Sequence, residues 1–275
     1  MNNLSSDQES SNKAMHPAFA REKFLLAQKH FSLQQKYYVR DENDNAILFV
    51  ERPSHLLRNL GALLLAVFAG VLSSLAIVGI GAFISQQLER GTVAAQVIGV
   101  LVVAFALLAL AGVAFVVLVK MSKKRHVTIY DNDKLTTELL KIFQDKKVEF
   151  LTATFTVAFP DGQVLALFQK NYLWNLFRKR WYCTTPDGKP LFTAMEDSVL
   201  KSILRRLLGP LFGILRTNFV FLKGDGSFEE LLGQFNRKFT LRDKYVLDMS
   251  DDRKKFIDRR LAVAMAVMLD TGERR

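Results

Sequence analysis

The side chains able to do bond-making chemistry are few. The histidines are His16, His30, His55 and His126, and none stands at ligand spacing from a cysteine or carboxylate. One cysteine, Cys183, excludes an internal disulfide and suits a reducing compartment. Adjacent acids occur at Glu229/Glu230 and Asp251/Asp252, but neighbours in sequence point in different directions and are ordinarily a solvated surface. No nucleophile elbow, phosphate loop or metal-binding helix motif is present. These residues predict neither an enzyme nor a metal or cofactor site.

What remains is basic and aromatic. The net charge is +11. No nucleic-acid motif of recognised spacing accompanies it, so no nucleic-acid partner is expected. Residues 197–216 (DSVLKSILRRLLGPLFGILR) place Leu200, Ile203, Leu204, Leu207, Leu208 and Leu211 at helical spacing, beside Lys201, Arg205 and Arg206. Such a helix suits a lipid interface, apolar side inward and basic side toward head groups. It equally suits a connecting helix whose leucines pack on the body of the protein. Residues 170–181 (KNYLWNLFRKRW) combine Trp174 and Trp181 with Arg178, Lys179 and Arg180. Tryptophan favours the membrane interface, so both clusters are candidate contacts for anionic phospholipid head groups.

Elements that could bring these residues to a bilayer are explicit. Residues 60–84 and 93–119 contain no charged side chain. About 20 apolar residues suffice to cross about 30 Å of hydrocarbon, and both stretches exceed that. The connector SQQLERGT is short and polar, so the two predicted spans are antiparallel neighbours within residues 55–125. Ala62, Ala66, Gly70 and Ser74 recur every four residues, a face on which helices approach closely in lipid. Arg52, Arg58, Lys120, Lys123, Lys124 and Arg125 flank the outer ends, whereas the connector carries only Arg90 beside Glu89. The excess of positive charge predicts a multi-pass protein with both termini and the soluble body cytoplasmic.

The rest reads as strands. Residues 1–28 begin rich in Ser, Asn and Gln and are expected to be a flexible tail; residues 29–54 hold the first strands. Residues 35–50 give YYVR, a polar DENDN turn, then AILFV. The pattern returns at 155–170 around PDG, at 181–194 around a second PDG, at 219–235 around GDG, and more loosely at 127–143. A β-branched or aromatic run, a Pro/Asp/Gly turn and a second run make a hairpin. Five of them suggest an antiparallel sheet that closes on itself. Residues 261–269 (LAVAMAVML) are apolar on every side yet span only about 14 Å, so this helix belongs in a core. Asp251 or Asp252 could cap its start.

The hairpins with their aromatic–xDG pattern, followed by DRRLAVAMAVMLD, resemble the tubby C-terminal-like superfamily, in its LURP-one-related and phospholipid scramblase branch. The resemblance implies a mainly β fold: a closed antiparallel barrel of about twelve strands around a central helix. Here that helix falls within 252–270, with Leu261, Val263, Met265, Val267 and Leu269 inside and the two-helix transmembrane hairpin inserted between the first strands and residues 126–275. The chain differs from scramblases in three ways. Residues 236–250 carry Arg237, Lys238, Arg242 and Lys244 instead of an acidic calcium segment. A single cysteine offers no acylation cluster. The membrane segment lies inside the barrel sequence. The resemblance implies a phospholipid-interacting module, in binding or in scrambling; the alternative is a membrane-tethered protein-interaction scaffold whose protein partner the sequence does not specify.

Overall fold

A computed structural model describes residues 15–28, 35–52, 56–86, 92–121, 123–124, 126–146, 149, 151–173, 175, 178–197, 218–225, 230–238 and 244–272. The chain divides into two compact units, one from residues 1–53 with 125–275, the other from residues 54–124.

The first unit is a closed barrel of twelve antiparallel strands. In chain order they are β1 (Lys23–Gln28), β2 (Gln35–Arg40), β3 (Ala46–Arg52), β4 (His126–Tyr130), β5 (Glu138–Gln144), β6 (Thr152–Ala158), β7 (Val164–Asn171), β8 (Arg180–Thr184), β9 (Pro190–Glu196), β10 (Phe219–Lys223), β11 (Leu231–Lys238) and β12 (Lys244–Asp248). Each strand pairs with its neighbours in sequence, and β1 closes the ring on β12 with Lys23 opposite Asp248. The five expected hairpins are β2/β3, β4/β5, β6/β7, β8/β9 and β10/β11. Strand alternation turns one side chain in two inward: Ala153, Phe155 and Val157 of β6 are buried while Thr154 and Thr156 are only half-buried.

The repeated PDG is a turn device. Phe159 N–H donates to Gln163 O and Gly162 N–H to Phe159 O; Thr185, Gly188 and Lys189 repeat the pattern. Gly162 and Gly188 have φ of 90° and 84°, the left-handed conformation that glycine adopts without a Cβ clash.

The core helix, Arg259–Gly272, has 14 residues and is about 21 Å long. Every residue from Arg259 to Thr271 is at most 5% exposed. Alanines at 262, 264 and 266 keep it slim enough for twelve strands to surround, and Leu261, Val263, Met265, Val267 and Leu269 fill the space between. Its first turn is organised by Asp258, whose carboxylate accepts from Arg260 N–H and whose carbonyl accepts from Ala262 N–H. Neither Asp251 nor Asp252 serves as the cap, and residues 252–257 form a loop instead of the expected helical turns.

The N-terminal boundary also needs correction. The stretch expected as tail contains a short 3-10 turn at Pro17–Phe19 and β1 itself. Phe19, Phe24 and Leu26 sit in the core. Burial of those side chains, worth about 1.5–3 kcal/mol each, overrides the polar composition around them.

The second unit is a pair of helices, Leu56–Gln86 and Val93–Met121. Both are long and apolar enough to cross a membrane. They run antiparallel, since Gly70 lies against Leu110 and Gly81 against Val102. A Cβ built on Gly70 would stand 2.7 Å from the Leu110 carbonyl oxygen. Ala62, Ala66 and Gly70 are buried and Ser74 is half-buried, so the small-residue face is the packing face.

Candidate lipid-facing end of the barrel

Antiparallel closure gives the barrel two unlike ends. The tight turns at 41–45, 131–137, 159–163 and 185–189, and the start of the connection after β10 at 224–225, gather at one, the turn end. At the other, the crossing end, the chain leaves β3 after Arg52 and returns at His126. The core helix enters at the turn end and finishes at the crossing end, where Arg52 Nη1 donates to Thr271 O at 2.9 Å. A cation at a helix C-terminus complements its carbonyl dipoles.

Charge is divided between the ends. The turns carry Glu42, Asp44, Asp133, Asp161 and Asp187, all exposed. The crossing end carries Arg52, Lys146, Lys170, Arg178, Lys179 and Arg180. Among the described residues, carboxylates at this end are fewer, and Glu196 and Asp270 among them are buried.

Arg178 and Arg180 are the best-defined cations of this end. Arg178 Nε donates to Glu196 O at 2.7 Å and its Nη2 to Asp197 O at 3.3 Å. Arg180 N–H donates to Asn175 Oδ1 at 2.9 Å, while its guanidinium touches Tyr182 Oη and Met195 Sδ, each at 3.3 Å. Burial, and then the Arg180 charge beside it, pull the Arg178 guanidinium below its usual range. Neutral acceptors hold both side chains in place, and neither forms an ion pair with a carboxylate among the described residues. Two guanidiniums held by neutral acceptors, with Glu196 and Asp197 near Arg178 but not paired to it, suit an anion with several acceptor oxygens, such as a phosphate.

Trp181 is not part of that surface. Strand parity turns it inward: it is 0% exposed and its ring lies 5.6 Å from Phe155. The Lys170 ammonium sits 4.7 Å above its ring and 5.1 Å from that of Tyr172. Lys170 opens the same basic stretch of sequence, but it shares strand parity with Ala166 and Phe168 and points inward with them. Trp174, Lys201, Arg205 and Arg206 lie outside the described residues.

Asp252, expected at the surface, is 2% exposed. Cys183 is fully buried, and burial pushes its thiol well above the usual range, which makes it a poor nucleophile. Among the described residues no three His, Cys, Asp or Glu side chains are grouped to hold a metal ion.

Comparison with models of protein families gives no match to this chain. Comparison with curated proteins likewise finds no relative.

Proposed function

We propose that this chain is a two-span membrane protein whose barrel binds anionic phospholipid head groups at its crossing end, as a binding module and not an enzyme. The observation that carries the reading is the coincidence of two features at one end of the barrel. The basic side chains gather there, and there the chain passes to the two apolar helices through only a few residues on each side. Tethering raises the local concentration of head groups to the millimolar range or above, so weak contacts suffice. A twelve-stranded barrel around a terminal helix also supports placing the chain in the tubby-like superfamily, near the LURP-one-related and scramblase branch.

Arg52 and Arg58, with Lys120, Lys123, Lys124 and Arg125, support cytoplasmic termini and a cytoplasmic barrel. Epitope tags at Met1 and Arg275 are then both accessible to antibody only after the cell membrane is permeabilised; labelling of either in intact cells refutes this topology.

Lipid binding is testable on a soluble barrel. Strands β3 and β4 are antiparallel partners, with Glu51 opposite Thr128, so a short loop can replace residues 53–125. The expected result is salt-sensitive binding to phosphatidylcholine vesicles containing phosphatidylserine and background binding without it. Each surface cation contributes about 1 kcal/mol, so Arg178→Gln with Arg180→Gln should weaken binding about 30-fold. Lys201→Glu, Arg205→Glu and Arg206→Glu together test the second cluster. No binding by the folded wild-type barrel at low salt favours the protein-scaffold alternative.

A further inference from the structure

At the turn end four cations are ion-paired, while Lys134 and Lys189 stand singly in exposed turns. Arg21 pairs with Asp41, Lys23 with Asp248, Arg40 with Asp44 and Lys223 with Glu230. The loop between β12 and the core helix departs from this pattern. Arg253, Lys254 and Lys255 are consecutive and exposed, with no ion-pair partner among the described residues, and Phe256 after them is 47% exposed.

That loop is held rigidly from inside. The buried Asp252 carboxylate accepts from Phe256 N–H at 2.8 Å and from Ile257 N–H at 2.9 Å. Lys255 N–H donates to Asp252 O at 3.0 Å. Arg259 clamps Asp252 at 2.8 Å and also donates to the carbonyls of Met249, Asp252 and Ile257. The result forces Lys255 into a left-handed φ of 52°. A non-glycine residue keeps such a conformation only where its surroundings over-determine it. The Lys223 ammonium, 4.7 Å from the Phe256 ring centre, supports one face of that ring.

The arrangement does nothing for the barrel's own packing. Three like charges repel one another, and an aromatic ring stays in water. Rigid presentation of an exposed aromatic among cations is how a binding hot spot is built, because little side-chain entropy is left to lose on association. We infer that residues 253–256 are a docking loop for a protein partner that offers a pocket for the Phe256 ring inside a carboxylate-bearing rim. A second, apposed membrane fits less well. The same end exposes Glu42, Asp44, Asp133, Asp161 and Asp187, which a flat anionic bilayer would meet and repel. A protein that engages the loop alone avoids them. The inference is independent of lipid binding at the opposite end.

The test uses the full-length protein in its own cells, with a photo-crosslinking phenylalanine analogue at position 256 and, as a control on the same end, at position 187. The expected result is one discrete protein adduct from position 256 and none from 187, with the crosslinked peptide of the partner rich in Asp and Glu. Arg253→Glu with Lys254→Glu and Lys255→Glu should lower its yield at least fivefold. Lys254→Glu alone, at a position of ordinary backbone geometry, should lower it about twofold, and Lys254→Arg should preserve it. Absence of a protein adduct, equal yield from the charge-reversed loop, or an adduct with lipid would each overturn the proposal, the last in favour of an apposed membrane.

Discussion

Replacing Ala264 by lysine is expected to leave no folded barrel. Ala264 is 0% exposed, as are Val263 and Met265 beside it, and the helix is enclosed on all sides by strands. An ammonium placed there meets neither water nor a counter-charge. Leaving a charge so buried is worth several kcal/mol against folding even after local relaxation. A domain of this size is stable by only about 5–15 kcal/mol in total. Ala264→Leu tests shape alone: overpacking usually costs about 1–3 kcal/mol, so that variant should fold and melt earlier. Thermal unfolding of the soluble barrel, followed by circular dichroism and limited proteolysis, distinguishes the two. A cooperative wild-type-like transition in Ala264→Lys would show that the helix is not the core.

Arg259→Met is expected to be nearly as damaging, for a different reason. Arg259 is 4% exposed and donates to Asp252 at 2.8 Å and to Glu22 at 2.7 Å. It therefore joins the loop after β12 and the first turn of the core helix to the entry to β1, 237 residues away in sequence. Removing one partner of a buried ion pair costs about 3–5 kcal/mol because the other charge is stranded. Asp252→Asn removes that charge and keeps an oxygen for only one of the Phe256 and Ile257 amides, which donate to separate carboxylate oxygens. Combined with Arg259→Met it should recover part of the loss, so the two substitutions should be strongly non-additive. Urea midpoints of the single and double variants measure this; simple additivity would mean that the ion pair contributes nothing beyond its separate hydrogen bonds.

The same cluster shows where reading the chain residue by residue stops. Adjacent Asp251 and Asp252 look alike in sequence, yet one is exposed and the other is buried. The difference is Arg259, brought over Asp252 by the return of the chain into the barrel. Trp181 is a similar case. Its neighbours are basic, and tryptophan beside basic residues reads as an interface anchor. Pairing with Lys170 on β7 and Ala194 on β9 turns it inward instead. A shift of one residue in register would have put it outside.

The five hairpins were legible because their signals are local. Turn residues with special φ angles and period-two alternation act within about ten residues. The core helix was legible because nine consecutive residues without a polar face have no stable place but an interior. Strands β1 and β12 were not. Their neighbours β2 and β11 are joined to them by KHFSLQ and FTLRD, which carry no Pro-Asp-Gly turn signal, and the pairing of β1 with β12 that closes the ring spans more than 200 residues.

The two apolar helices and their antiparallel pairing were set by length, absence of charge and a short connector, which are properties of one dimension. The opposition of a basic crossing end to an acidic turn end was set only by tertiary structure. Along the chain, basic and acidic residues alternate segment by segment. Eleven successive reversals between twelve strands bring every second connection to the same end, and only then do charges scattered from Arg52 to Arg180 add into one field.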